Sequence, residues 1–138
     1  MRSRRRLAGR GRLLMAGLAA VAAASAMAVS PGEAAAAPVG KVDAGVPFSS
    51  VVYGTGCRYD LTVDVNSVGT VEFWEKPQGA PARFLGAAQA YGAIATISWV
   101  PRRVATTELY ATQNGVTGPS TALRVHQGYG SGWACFAL

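Results

Sequence analysis

The chain has 138 residues and a net charge of +6 at pH 7, with 13 Lys and Arg against 7 Asp and Glu. Most of this charge lies at the beginning: six of the arginines and Glu33 precede Ala37, so the remainder has 7 basic against 6 acidic residues, a net charge of +1. A nucleic-acid-binding domain needs a basic stripe on its folded surface. The remainder of the chain lacks one, so we expect no nucleic-acid partner.

The first 36 residues follow the order of a secretory signal peptide. A head rich in arginine ends at Arg12, an apolar run extends from Leu13 to Val29, and Ser30-Pro31-Gly32 interrupts any helix. Ala34-Ala35-Ala36 then forms a small-x-small cleavage site, and we expect the cut after Ala36. The mature protein is therefore predicted to be secreted, extracellular or associated with the cell wall, with no membrane segment after cleavage.

Other interpretations of this leader fit less well. A transmembrane anchor needs about 20 apolar residues, and this run is shorter and rich in Ala. A lipoprotein needs a Cys directly after the cut, whereas the first Cys is Cys57. Residues 3–7, Ser-Arg-Arg-Arg-Leu, partly resemble a twin-arginine signal, although Ala8-Gly9 departs from it; the general secretory route is favoured and both routes stay open. Ala24-Ser25-Ala26 is a weaker second cleavage site.

After a flexible lead-in over 37–45, short runs of alternating apolar and polar residues are separated by turn residues, the pattern of half-buried strands. In chain order, the predicted strands cover residues 51–53, 58–65, 71–76, 83–88, 95–99, 108–112 and 123–126, and a flexible glycine-rich loop follows at 128–132. No segment has a convincing 3.6-residue period. We therefore predict that 46–138 form an all-β domain, an immunoglobulin-like antiparallel β-sandwich of about seven strands.

The alternation also predicts which side chains face the core. The inward set is Tyr59, Leu61, Val63, Val71, Phe73, Ile97, Trp99, Leu109, Ala111, Leu123 and Val125. A slip of one residue would bury Asp60, Asp64 and Glu72 instead, so the register should be firm. The same alternation points Trp74 and Tyr110 outward, where they form a candidate binding face for a protein or a sugar. The alternative is that each ring covers a sheet edge or packs under a loop.

The two cysteines, Cys57 and Cys135, both lie after the leader. An even number of cysteines in an exported chain predicts a disulfide. The competing interpretation is a metal site, but two cysteines and one distant His lack the ligand spacing of zinc. We predict a disulfide and no metal.

Five stretches resemble the bacterial Ig-like domains of exported proteins. That family characteristically carries a G-T-V-x-F strand, a W-x-P strand end and an L-x-A strand in this order. The stretches here are Gly56 to Val63, Gly69 to Phe73, Ala95 to Pro101, Leu109 to Gln113 and Gly132 to Leu138. The last resembles single-domain actinobacterial members, which implies pairing of the terminal Cys with one on the early strand. The Gly-x-His often seen before the L-x-A strand is replaced by Ala105-Thr106-Thr107.

No set of residues in the sequence predicts catalysis. His126 is the only His, and a nucleophile needs a nearby base and an orienting group. Glu72 and Glu75 point to opposite faces of one strand, and Asp60 and Asp64 lie about 13 Å apart at about 3.3 Å per residue. Asp64-Val65-Asn66 offers too few oxygens for Ca²⁺, which takes six or more. We therefore predict that the protein is not an enzyme and has no cofactor.

These patterns predict an exported non-catalytic module that binds an extracellular protein or a cell-wall glycan. The alternative is a secreted inhibitor or effector that acts through its loops, and a small hydrolase comes last. The sequence leaves the oligomeric state open.

Export gives the first testable prediction. Because the Ala34–Ala36 site follows an apolar run, N-terminal sequencing of the secreted protein should begin at Ala37. A protein that begins at Met1 and stays in the cytoplasm would contradict the predicted compartment.

Overall fold

A computed structural model describes residues 35–47 and 52–138, so the predicted signal peptide lies outside the described residues except for its last two positions. All regular structure in the described part is β, and it contains no helix. The ten strands are β1 (Tyr53–Gly54), β2 (Tyr59–Asp64), β3 (Thr70–Pro77), β4 (Arg83–Gln89), β5 (Ile94–Trp99), β6 (Ala105–Gln113), β7 (Val116–Thr117), β8 (Thr121–His126), β9 (Gly128–Ser131) and β10 (Ala134–Ala137). The predicted all-β class is confirmed. Over the same residues, no helix is long and apolar enough to cross a membrane.

The strands form three sheets. The largest has six strands in the order β1-β8-β6-β3-β4, with β7 paired to β6. Strands β2 and β5 pair antiparallel in full register, and β9 pairs with β10 as a hairpin. Only β1 and β8 run parallel among these pairs. Strand β4 lies at the edge of the largest sheet.

One core is shared by β2 and β5 and by the central strands of the largest sheet. The side chains that are buried as predicted are Leu61, Val63, Val71, Phe73, Trp99, Leu109, Ala111, Leu123 and Val125. Tyr59 and Ile97 are only partly buried and pack against this cluster. Burial alternates strictly along β3, so the period of two reports which face of this strand is inside.

The buried carboxylate of Glu75 links three strands. Its exposure is only 4%. The indole Nε1 of Trp99 on β5 donates to Oε2 over 2.7 Å, and Nε of Arg83 on β4 donates to Oε1 over 2.8 Å, with an ion pair of 2.6 Å through Nη2. A buried carboxylate is costly unless it is paired and hydrogen-bonded. These partners meet that requirement and fix Glu75 on the inner face.

The predicted lead-in over 37–45 is packed into the domain. Asp43 and Thr62 exchange two backbone hydrogen bonds of 2.8 Å, and Pro38 bridges to Val65. Val42 and Ala44 are buried in the core. This segment therefore runs along the edge of β2, in the same compact unit as the strands.

The prediction of a flexible loop at 128–132 is wrong, because residues 128–131 form strand β9 of a hairpin with β10. Gly128 lies against the Thr55 backbone, and Gly130 has φ +106° against the Ala134 backbone, so neither position has room for a side chain. Glycine is thus required here for close approach rather than for flexibility. Cys57 and Cys135 form the predicted disulfide, with a Cα–Cα distance of 5.3 Å, and it fastens this hairpin to the loop after β1.

The disulfide should contribute strongly to stability, because it closes a loop with a sequence separation of 78. We expect the double substitution Cys57→Ala and Cys135→Ala to lower the free energy of unfolding by about 2–5 kcal/mol, measured by urea denaturation. The matched control is reductant, which should destabilise the native protein and leave the double variant unchanged. Equal stability of the native protein with and without reductant would contradict the role of the bridge.

Candidate functional site

An aromatic row crosses three neighbouring strands on the outer face of the largest sheet. Trp74 on β3 and Tyr110 on β6 are direct cross-strand partners, with ring centroids 6.4 Å apart and planes within 6° of parallel. Phe84 pairs with Trp74 from β4, at 5.3 Å and 64°, and is 49% exposed. The structure thus brings together the two predicted residues and adds a third. We call Tyr110, Trp74 and Phe84 the aromatic row.

Phe84 was missed because β4 does not alternate cleanly. The register between β3 and β4 shifts between Phe73 and Trp74, so one extra residue of β4 lies opposite this point. Such a bulge changes which side chains face outward beyond it. In the sequence of β4, only Gly86 could have indicated this bulge; its φ is +158°.

The indole Nε1–H of Trp74 is buried and has no hydrogen-bond partner among the described residues. A buried donor without an acceptor costs about 1–3 kcal/mol and is uncommon in folded proteins. By contrast, the Nε1–H of Trp99 is fully satisfied by Glu75. The packing of the aromatic row therefore leaves the Trp74 indole N–H without a hydrogen-bond acceptor.

Two hollows flank the aromatic row along the strand direction. On one side, Lys76, Glu108 and Ala122 form the next outward rung and line a hollow of 620 Å³ under the β3–β4 turn. On the other side, Glu72 and Thr112 form the opposite rung.

The second hollow has a volume of 230 Å³ and is also lined by Thr70, Asn114 and Gly115. Thr112 Oγ1 donates to Glu72 Oε2 over 3.2 Å. We call the aromatic row and these two hollows the outer strip.

The charges of the outer strip are not neutralised by ion pairs. Within residues 35–47 and 52–138, only Arg83 and Glu75 form a salt bridge. Lys76, Glu72 and Glu108 are exposed. Their side chains are thus able to bond a ligand without first breaking an ion pair.

A second aromatic surface lies on the C-terminal hairpin. Tyr129 and Phe136 stack with centroids 5.6 Å apart. Trp133 is 66% exposed, and the Arg58 guanidinium lies 5.7 Å from the centre of its ring. Tyr129, at 49%, is also exposed. We call these four residues the hairpin patch.

The remaining polar candidates have structural partners. His126 ends β8, and its Nδ1 lies 2.6 Å from the carbonyl oxygen of Leu138. Tyr53 donates its hydroxyl to the Gly45 carbonyl over 2.6 Å; burial, with the Asp43 charge as a smaller cause, raises the pKa of Tyr53. The side-chain amide of Asn66 bonds the backbone of Ala35 and Ala37. No group of three His, Cys, Asp or Glu close enough for a metal occurs in the described part of the chain.

Comparisons with known proteins find matches among solved structures alone. No protein-family model matches the chain, and no curated protein matches it. Among solved structures, the chain is similar to a superoxide reductase (neelaredoxin) from Ignicoccus hospitalis. The two are 12% identical, and the match covers 67% of this chain and 83% of that chain with a TM-score of 0.46.

The neighbour is itself named as an enzyme, so the prediction that the present protein is not an enzyme is not carried further. The prediction rested on the missing catalytic motifs, and sequence motifs do not record side chains that only the fold brings together. At this level of similarity, the match assigns no activity, metal or residue role to the present chain.

Proposed function

We propose that the protein is an exported, Ig-like module that binds a glycan chain along the outer strip. Two observations support the Ig-like arrangement: the pair β2–β5 shares one core with the six-stranded sheet, and the inter-sheet contact is centred on a buried Trp. The disulfide between Cys57 and Cys135 supports an oxidising, extracellular compartment, since such bonds are rare in the cytosol.

The aromatic row carries the proposal. A sugar ring has an apolar face of C–H groups and a polar edge of hydroxyls, so it fits an aromatic surface that has hydrogen-bonding groups beside it. Trp74 and Tyr110 provide nearly parallel rings, and aromatic side chains of this kind bind ligands that are apolar on one side and polar on the other. Glu72, Thr112 and Glu108 lie one rung away, where they are able to bond the hydroxyls.

The length of the outer strip favours a chain over a single sugar. Outward positions extend from Thr70 to Lys76 along β3, which is about 20 Å at about 3.3 Å per residue. The two hollows lie on opposite sides of the aromatic row along the strand direction. A linear polysaccharide of the cell wall would cover the whole strip, whereas a monosaccharide would cover one rung.

The hairpin patch favours a second candidate function, a secreted inhibitor or effector that binds a protein. Trp, Tyr and Arg are the residues most enriched in protein–protein hot spots. Arg58 and Trp133 lie together at this surface, and the exposed Tyr129 lies on the same hairpin, which the disulfide fastens to the body of the domain.

The two candidates differ in the tryptophan they require. We expect Trp74→Ala to abolish retention of the mature protein on isolated cell-wall polysaccharide, while lowering the free energy of unfolding by only about 1–2 kcal/mol through lost ring contacts. Phe73→Ala, one residue away on the core side, should cost about 3–5 kcal/mol through cavity formation. Retention is measured by co-sedimentation and stability by urea denaturation.

Val104→Ala is the matched control, because Val104 is 55% exposed and lies outside the outer strip; it should change neither quantity. Full retention of Trp74→Ala would contradict the proposal. If only Trp133→Ala lost retention, the binding surface would be the hairpin patch rather than the outer strip.

A further inference from the structure

The side-chain amide of Asn66 binds the backbone on both sides of the predicted cleavage point. Its Oδ1 accepts from the Ala37 N–H over 2.8 Å, and its Nδ2 donates to the Ala35 carbonyl over 3.1 Å. Its backbone N–H donates to the Ala37 carbonyl over 3.3 Å. One residue therefore bonds three backbone groups around the bond between Ala36 and Ala37.

The next residues continue this pairing. Val39 N–H donates to the Asp64 carbonyl over 2.9 Å, Pro38 bridges to Val65, and Asp43 pairs with Thr62. Pro38 also packs against Gly118, where even one added carbon would clash. No loop separates the predicted cleavage point from the paired segment.

We propose that leader removal and folding of the domain exclude each other: the processing peptidase cuts between Ala36 and Ala37 only before residues 35–39 pair with Asn66 and Asp64. This inference rests on the export included in the proposed function. Proteins commonly bind an extended peptide by adding it as a strand, through its backbone N–H and C=O groups. In the folded domain the Ala35 and Ala37 carbonyls and the Ala37 and Val39 N–H groups are already paired, so this edge of the segment is not free for a second partner.

The cut itself leaves Asn66 with a stronger partner. Water adds to the Ala36 carbonyl carbon, the C–N bond to Ala37 breaks, Ala36 leaves as a carboxylate, and the Ala37 nitrogen becomes an amino group. This amino group has a pKa of about 8 in model peptides, so it is mainly protonated at pH 7. Its bond to Asn66 Oδ1 becomes charge-assisted, and such bonds are stronger than neutral ones. The required order also implies that the chain crosses the membrane unfolded.

The test uses the full-length, disulfide-bonded precursor and a purified leader peptidase in detergent. The cut after Ala36 is followed over time by intact mass. The comparison is a precursor with a flexible Gly/Ser spacer of about eight residues between Ala37 and Pro38, long enough to free the site. We expect the native precursor to be cut about 100-fold more slowly, because several hydrogen bonds must open first and each corresponds to roughly a fivefold change in population.

Two substitutions test the role of Asn66 itself. Asn66→Asp keeps the acceptor for Ala37 and loses the donor to Ala35, so the folded precursor should be cut roughly fivefold faster than the native one. Asn66→Ala loses both bonds and should be cut faster still. Gln127→Ala is the matched control, because that amide bonds only the neighbouring Gly128 carbonyl; its precursor should be cut at the native rate.

Equal rates for the folded native precursor and the spacer precursor would overturn the inference, as would an unchanged rate for Asn66→Ala in a precursor with native melting temperature. Neither result would affect retention on polysaccharide, which tests the proposed function. Conversely, if the mature protein did not bind polysaccharide, the expected cleavage rates would stay the same.

Discussion

The inner face of β3 combines the buried apolar side chains of Val71 and Phe73 with the buried, fully partnered carboxylate of Glu75. This carboxylate lies between Arg83 of β4 and the Trp99 indole of β5, and removal of either partner would leave a buried charge or donor unsatisfied. If β3 slipped by one residue, Glu75 would move to the solvent and Trp74 would enter the core, a change that reverses every side chain on the strand. The outer strip depends on this contact.

From that orientation, the register of the sheet places the remaining groups. Trp74 lies opposite Tyr110, and Lys76 lies opposite Glu108, so rings and charges occupy successive rungs of one surface. A rigid sheet suits such a surface, because sites on strands are held more precisely than sites on loops. The disulfide has a separate role: it fastens the C-terminal hairpin, which carries the other exposed aromatic surface.

The period of two in the sequence predicted seven of the ten strands described, most of the core and the outward direction of Trp74 and Tyr110. It could not predict the packing of Val42 and Ala44, because their segment is rich in Pro, Gly and Ala and its pairing with β2 is non-local. It also missed β9, where glycine is needed for close approach rather than for a turn. Alternation reports local burial, whereas pairing partners, bulges and side-chain contacts depend on residues distant in the chain.

The three tryptophans allow a direct test of the binding face. Trp74 lies in the outer strip and Trp133 in the hairpin patch, while Trp99 is buried in the core and serves as a reference. In an NMR titration of the ¹⁵N-labelled mature protein with solubilised cell-wall glycan, each indole N–H gives its own signal. The account predicts a saturable shift of the Trp74 signal alone. A shift of the Trp133 signal with Trp74 unchanged, or no shift at all, would contradict it.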